Sequence, residues 1–289
     1  MLVTVSMILK VNDVKLWVEK QGKGQPFVLC HGGPGAYDYL APIANMVDDI
    51  CTVIRYDQRG SGRSQHVGPY DVQTHINDLE ALRQQLNITS WIVGGHSWGA
   101  SLALAYSTRF PQYATALIYI SGTGINPQWH DVYQQNCLLA LNEAEREKCL
   151  LLNVRLEQSS EEAYDKIRQE LQMLLTKTDF VDPGNIDKGP YFNTHSINNK
   201  VNHLVNIDWE AYMVRPEFLE SLRHLPIPVL FLHGRQDPRS IVFVEELARY
   251  VPEGKFISIP NAGHYPYIEQ PEQTRDTLRE FIQQKVRMG

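Results

Sequence analysis

The sequence predicts an α/β protein built on a mostly parallel β-sheet, with helices on both faces and a helical segment inserted late in the sheet. Short apolar runs alternate with stretches of helical hydrophobic spacing, which is typical of a parallel sheet covered by helices. The strand rhythm stops near Ile125 and returns near Pro228. The 289 residues are enough for one large domain carrying such an insertion.

The N-terminal part of the chain reads as a hairpin followed by the first strands of the sheet. Asn12 and Asp13 separate two apolar runs, residues 3–11 and 14–19, and these residue types favour a tight turn between strands. Further short apolar runs give the remaining predicted strands: 27–30, 51–56, 91–93, 116–120, 228–232 and 256–259. A helix before the run at 91–93 is predicted by apolar residues at helical spacing: Ile76, Leu79, Leu82 and Leu86. Residues 271–286 are predicted to form the last helix.

Residues 125–224 are predicted to form a helical cap between two parts of the core, residues 1–124 and 225–289. Ser159 and Glu162 have the spacing of a capping box at the start of one cap helix. The cap carries 16 Asp and Glu against 10 Lys and Arg, so it holds the whole net charge of −6. Most of these acids are expected on solvated helix faces, because charged side chains are mostly exposed.

Composition excludes several classes of function. An acidic chain without a basic cluster does not predict a nucleic-acid partner. No apolar stretch approaches the roughly 18 residues of a membrane span, and the N-terminus lacks the features of a signal peptide, so we expect a cytoplasmic protein. The cysteines show no C-x-x-C spacing and are expected to be free thiols: Cys30, Cys51, Cys137 and Cys149. Neither a phosphate-binding loop nor a zinc-protease motif occurs, so we expect no cofactor and no metal.

The strongest chemical signal is the segment Gly95-His96-Ser97-Trp98-Gly99, which matches G-x-S-x-G. It follows an apolar strand and precedes a helix rich in small residues. This is the context of a nucleophile on a sharp strand-to-helix turn, and it predicts the α/β-hydrolase fold with Ser97 as nucleophile. The alternative, a glycine-rich turn with a capping serine, does not explain why strand, glycines and helix all coincide.

The partners of Ser97 are expected at the ends of later strands. Asp237 and His264 each follow a predicted strand, and the order Ser, Asp, His is the one that this fold uses. His264 is therefore the predicted general base and Asp237 the acid that orients it. Asp57 is the main competitor for the acid, but it begins a tight loop in which it can bind the following backbone N–H groups, so we interpret it as structural.

Two backbone N–H groups should stabilise the oxyanion of a tetrahedral intermediate, and we assign them to Gly33 and Trp98. Gly33 lies in His31-Gly32-Gly33-Pro34-Gly35, directly after the strand at residues 27–30. A glycine there lets the backbone approach a substrate without an intervening side chain. An ordinary turn is the alternative.

Three motifs together resemble the proline iminopeptidases, also called prolyl aminopeptidases: HGGPG (31–35), DQRGSGRS (57–64) and GGHSWGASLALAY (94–106). The resemblance implies an enzyme that removes an N-terminal residue, preferentially proline, from short peptides. It also implies a helical cap over the site, with acidic residues that hold the substrate's ammonium group. Trp209-Glu210 resembles the W-E element of the family's cap, which makes Glu210 the candidate anchor for the amine.

Two further functions stay open beside an aminopeptidase. One is an esterase or lactonase that acts on a small neutral acyl compound. The other is a non-catalytic protein that binds a small ligand or another protein, although a complete Ser, His and Asp set argues against it. Turnover of a prolyl arylamide compared with a short-chain aryl ester separates the first two functions.

Glu210→Gln is expected to raise KM for a prolyl substrate with a free amine and hardly to affect a short neutral ester. An ammonium group in a partly dry pocket needs a carboxylate, and its loss costs about 2–5 kcal/mol if the pair is buried. Steady-state kinetics on both substrates measure this. Equal loss on both would make Glu210 structural, and no loss on either would move the anchor to another acid, with Asp208 next.

Overall fold

One eight-stranded sheet forms the centre of the part of the chain that the structure describes, residues 4–190 and 197–286 of a computed structural model. Its strands are β1 (Val5–Val11), β2 (Val14–Gly22), β3 (Gln25–Cys30), β4 (Cys51–Tyr56), β5 (Trp91–His96), β6 (Ala114–Ile120), β7 (Val229–Gly234) and β8 (Gly254–Ile259). The strand order is β1-β2-β4-β3-β5-β6-β7-β8. β1 and β2 are antiparallel to each other, and β2 is antiparallel to β4, whereas every pairing from β4 to β8 is parallel.

The predicted N-terminal hairpin is confirmed. Val11 pairs with Val14 across the turn, and Asn12 takes a positive φ of 52°, which asparagine tolerates better than most residues. The predicted strands from β3 to β8 are also confirmed, each within a few residues of its expected bounds.

Helices cover both faces of the sheet. They are α1 (Ala41–Asn45), α2 (Val72–Gln85), α3 (Trp98–Arg109), α4 (Trp129–Ala140), α5 (Glu143–Glu157), α6 (Glu161–Thr176), α7 (Asn199–Met213), α8 (Pro216–Arg223), α9 (Ile241–Tyr250), α10 (Pro266–Glu269) and α11 (Pro271–Val286). Because side chains alternate along a strand, β3 divides its residues between two hydrophobic clusters. Val28 packs in one cluster with α2, α3 and α9, and Leu29 packs in the other with α1 and α11.

The described residues between β6 and β7 form helices and turns. α4, α5 and α6 share a small hydrophobic cluster of their own: Leu141, Cys149, Leu152, Ile167, Leu171 and Leu174. α7 and α8 instead pack into the larger core, where Val201, Val205 and Phe218 are buried. The segment 125–224 is called the insertion below, and its boundaries stay a prediction.

The capping box predicted at Ser159 is wrong. Ser160 is the N-cap of α6, and the Ser159 hydroxyl donates instead to the carbonyl of Leu156 at 2.8 Å. A capping box does form at α5, between Asn142 and Glu145. Serine hydroxyls readily bind nearby carbonyls, so the sequence spacing alone does not decide which helix end is capped.

All four cysteines are buried and free. Burial raises the pKa of Cys30 to about 12. Among the described helices, none combines the length and the hydropathy that crossing a membrane requires.

Candidate active site

Ser97 occupies the sharp turn between β5 and α3. Its backbone has φ 58° and ψ −123°, and its N–H donates to the carbonyl of Ile120 on β6 at 2.9 Å. A residue with a side chain in such a conformation costs about 1–3 kcal/mol, so the surrounding structure must enforce it. The turn therefore holds Ser97 at the carboxyl edge of the sheet, half exposed above a buried strand.

Two glycines make this turn possible. A Cβ atom at Gly95 would overlap the carbonyl group of Gly99, and a Cβ atom at Gly99 would overlap the carbonyl oxygen of Cys30. The start of α3 therefore lies directly against the end of β3. The spacing of glycines in G-x-S-x-G thus has a steric cause in this chain.

Asp237 and His264 form a buried hydrogen-bonded pair. Nδ1 of His264 lies 2.7 Å from Oδ2 of Asp237, and their side chains are 3% and 0% exposed. Because a carboxylate only accepts, Nδ1 carries the proton, which leaves Nε2 of the neutral ring as an acceptor. Burial by itself would raise the pKa of Asp237, but its interaction with His264 and the charge of Arg239 hold it well below its usual value.

The buried ring of His96 connects the Ser97 turn to the loop that carries His264. Its Nε2 lies 2.8 Å from the carbonyl oxygen of His264, and the two rings are 4.6 Å apart. Since that carbonyl only accepts, Nε2 of His96 is the donor and Nδ1 accepts from the Tyr39 hydroxyl at 2.8 Å. Burial lowers the pKa of His96 well below its usual value, so this ring stays neutral.

The same network reaches the glycine-rich loop after β3. The N–H of Gly32 donates to the Tyr39 hydroxyl oxygen at 3.0 Å, and a Cβ atom at Gly32 would lie 2.8 Å from Cβ of Ser97. Gly33 has φ 49° and is partly exposed. No hydrogen bond within residues 4–190 and 197–286 engages the N–H of Gly33 or of Trp98, as an oxyanion site requires.

Gln58 connects the side chain of Trp98 to the start of the glycine-rich loop. Its Oε1 accepts from Nε1 of Trp98 at 2.8 Å, and its Nε2 donates to the carbonyl of His31 at 2.7 Å. The loop after β4 therefore fixes both the start of α3 and the start of the glycine-rich loop. Preorganised donors of this kind need no rearrangement when charge develops.

Comparison with known proteins agrees with this architecture. A family model described as alpha/beta hydrolase fold matches residues 25–271. The chain belongs to the alpha/beta hydrolase fold family. Its relatives include a proline iminopeptidase of Saccharolobus solfataricus, 24% identical over 91% of this chain and 86% of that protein. A proline iminopeptidase of Heyndrickxia coagulans is 26% identical over 91% and 92%.

Solved structures show the same fold. The proline iminopeptidase of Mycobacterium smegmatis is 21% identical with a TM-score of 0.70, and the match covers 97% of this chain and 98% of that one. A thermophilic esterase from Thermogutta terrifontis is 22% identical with a TM-score of 0.68, covering 97% and 99%. The predicted resemblance to proline iminopeptidases is therefore confirmed, and the family supports hydrolase chemistry.

Asp57 of this alpha/beta hydrolase lies in a structural loop, as the sequence predicts. Its carboxylate accepts from the N–H of Asp38 at 2.6 Å and from both the N–H and Nε of Arg63 at 2.7 Å. Burial alone would raise the pKa of Asp57, yet the hydrogen bonds from Arg63 and the nearby His31 hold it below its usual value. Asp57 therefore orders the loop after β4, on which Gln58 depends.

Glu210 lies in a more exposed environment than the sequence suggested. Its carboxylate pairs with His130 at 3.2 Å, and its side chain is 48% exposed. The neighbouring Trp209 is buried, edge-on to Trp98 with ring centroids 6.0 Å apart. Asp208, the second choice, accepts from the N–H of Val72 at 2.7 Å at the start of α2. The role of Glu210 toward an amine stays a prediction.

Two charged residues that no sequence motif indicated lie beside the pair of Asp237 and His264. Nη1 of Arg239 lies 3.2 Å from Oδ1 of Asp237 and 2.7 Å from Oδ1 of Asp179. Asp179 belongs to a short 3-10 turn of the insertion, Lys177–Asp179. Sixty positions separate Asp179 from Arg239, and neither residue belongs to a motif, so nothing local in the sequence indicates their contact.

Asp57→Asn is expected to lower the free energy of unfolding by about 1.5–3 kcal/mol, because buried hydrogen bonds to a charged acceptor are lost. Expressed as a free energy, the loss of activity per folded molecule should be much smaller than this loss of stability. Urea denaturation at pH 7 and steady-state kinetics measure the two effects.

The stability measured at low pH provides the control for this variant. A lowered folded-state pKa means that the Asp57 carboxylate contributes stability above its unfolded pKa of about 3.9, and that this contribution is lost as pH falls through the folded value. The difference in stability between the wild type and Asp57→Asn should therefore shrink below about pH 4. A difference that does not change between pH 7 and pH 3 would contradict this role.

Proposed function

We propose that the protein is a serine hydrolase in which Ser97 is the nucleophile, His264 the general base and Asp237 the acid that orients the base. The observation that carries the proposal is the buried pair of Asp237 and His264 beside a strained serine turn. The carbonyl of His264 is bound to the ring of His96, the residue next to Ser97, which keeps base and nucleophile at the same edge of the sheet.

The chemistry follows from these positions. Nε2 of His264 accepts the proton of the Ser97 hydroxyl as its oxygen attacks the carbonyl carbon of the substrate. The N–H groups of Gly33 and Trp98 stabilise the oxyanion. His264 then gives the proton to the leaving group, and the acyl-enzyme forms. A water molecule, activated by the same histidine, releases the acid and restores Ser97.

The substrate class that we propose is a short peptide with N-terminal proline or a small apolar residue. Two relatives that match over 91% of the chain are proline iminopeptidases. Trp209 lies buried against Trp98, so the insertion contributes an apolar aromatic surface close to the turn of Ser97.

An esterase acting on a small neutral acyl compound is the second candidate. A thermophilic esterase shares the fold over nearly the whole chain. The half-exposed carboxylate of Glu210 is a less favourable partner for an ammonium group than a buried one, and an esterase does not need it. Esters are intrinsically easier to hydrolyse, so ester turnover alone does not decide. The decisive comparison is kcat/KM for a prolyl arylamide against its N-acetylated analogue, because only an aminopeptidase requires the free amine.

Ser97→Ala is expected to abolish turnover while the fold stays intact. Loss of the nucleophile leaves only the weak catalysis of the oxyanion site, a fall on the order of 10⁴-fold or more. Activity assays and circular dichroism test this together. A folded Ser97→Ala protein with wild-type turnover would exclude the proposed mechanism.

Asp237→Asn is expected to keep the geometry of the site but to favour the wrong histidine tautomer. The amide can donate to Nδ1, so Nε2 then carries the proton and cannot act as base, which costs about 10⁴-fold in kcat. Asp57→Asn is the matched control, since it changes the competing acid in the same way. If Asp57→Asn lost more activity than Asp237→Asn, the choice of the acid would be wrong.

A further inference from the structure

Both oxygens of the Asp237 carboxylate are engaged. Oδ2 accepts from Nδ1 of His264 at 2.7 Å, and Oδ1 accepts from the backbone N–H of Arg239 at 3.0 Å. Nη1 of Arg239 lies 3.2 Å from the same Oδ1 and donates to Asp179 at 2.7 Å. The side chains of Asp237, Arg239 and Asp179 are 0%, 13% and 2% exposed, so water screens their charges weakly.

Arg239 creates an electrostatic problem for the proposed mechanism. A guanidinium group stays charged at any working pH, so Arg239 alone would cancel the negative charge of Asp237. His264 becomes an imidazolium while Ser97 attacks, and the charge of Asp237 is what stabilises that cation. A neutral pair of Asp237 and Arg239 would stabilise it poorly.

Asp179 supplies the missing charge. Two carboxylates and one guanidinium give the cluster a net charge of −1 while His264 is neutral. When His264 takes the proton, the net charge of the cluster and the imidazolium together becomes zero. Two further titratable groups that face the cluster, His233 and Tyr133, are neutral. Burial lowers the pKa of His233, whose Nε2 lies 3.5 Å from Asp237, to about 4. Burial likewise holds the pKa of Tyr133, whose ring lies under the Arg239 guanidinium, well above its usual value.

The backbone of Asp179 is fixed at the same place. Its carbonyl accepts from the N–H of His264 at 2.7 Å. Gly263 permits this approach, because a Cβ atom there would overlap that carbonyl. Asp179 thus contacts the proposed base through its backbone and the proposed acid through Arg239.

We propose that Asp179 is a positioning residue that the insertion supplies to the site, where it compensates the charge of Arg239 and keeps the pair of Asp237 and His264 negative. The proposal rests on the proposed roles of Ser97, His264 and Asp237. It gives the insertion a part in the chemical step in addition to any contact with substrate.

The first test is Asp179→Asn, which keeps the backbone carbonyl and the shape of the side chain but removes the charge. We expect kcat to fall about 10- to 100-fold, less than the 10²–10³ that loss of a donor touching the oxyanion costs. KM should stay within about twofold, because Asp179 affects the transition state and not substrate binding. The substrate is a short neutral aryl ester, so recognition of an amine plays no part.

The double variant Asp179→Asn with Arg239→Gln provides the sharper test. Removing both charges leaves Asp237 as the only charge of the cluster, and the net charge returns to −1. We expect the double variant to recover most of the kcat that Asp179→Asn loses. A purely structural role gives the opposite order, since two buried interactions are then lost instead of one. A double variant slower than Asp179→Asn would overturn the proposal.

Glu269→Gln is the matched control for an insertion that is bound less firmly to the core. The Glu269 carboxylate accepts from the N–H groups of Val181 and Gly263, so it holds the same segment without touching Arg239. Its loss should lower the free energy of unfolding and change kcat less than Asp179→Asn does. Equal falls in kcat would mean that Asp179 acts only by holding the segment, and would overturn charge compensation.

Three further outcomes are decisive. If the double variant does not fold, Asp179→Glu replaces it. This variant keeps the charge, so its kcat should exceed that of Asp179→Asn. A kcat of Asp179→Asn that equals or exceeds that of Asp179→Glu overturns the proposal. A loss confined to a prolyl arylamide would make Asp179 an amine-binding residue and overturn it as well. If Ser97→Ala is inactive and Asp179→Asn is fully active, charge compensation by Asp179 is rejected but the proposed function stands. If Ser97→Ala is active, the proposed function itself is rejected.

Discussion

The close approach of α3 to the end of β3 is the constraint on which the rest of the site depends. Gly99 lies against the carbonyl of Cys30, and this contact holds Ser97 in a backbone conformation that it would not adopt alone. The glycine-rich loop that follows β3 is thereby placed beside the serine. Short buried hydrogen bonds then hold the neighbouring parts of the site together. His96 binds the carbonyl of His264 and the hydroxyl of Tyr39, and Gln58 binds the indole of Trp98.

The parts of the fold that could be predicted are those with a local physical signature. Buried parallel strands are short apolar runs, and the G-x-S-x-G signature of the serine turn spans only five residues. Asp237 and His264 were predictable because the carboxyl ends of parallel strands meet at one edge of a sheet. Their hydrogen bond is in the structure, whereas their catalytic roles stay predictions until variants are measured.

The parts that could not be predicted depend on contacts between distant segments or on the rotation of a helix. Trp209 and Glu210 are adjacent on α7, and adjacent helical residues point about 100° apart, so the two side chains lie in different environments. Trp209 takes the buried direction and leaves Glu210 beside His130. The contact between Asp179 and Arg239 joins the insertion to the loop after β7, and no periodicity or motif in either segment encodes it.

Much of the docking of the insertion on the core uses main-chain groups. The carbonyl of Asp179 receives the N–H of His264, the N–H groups of Val181 and Asp182 reach Glu269, and the N–H of Asn198 reaches the carbonyl of Gly35. A substitution in the insertion leaves such bonds in place, because every residue except proline offers the same backbone donor and acceptor. The side chains of the insertion can therefore change while the loop that carries His264 keeps its anchor.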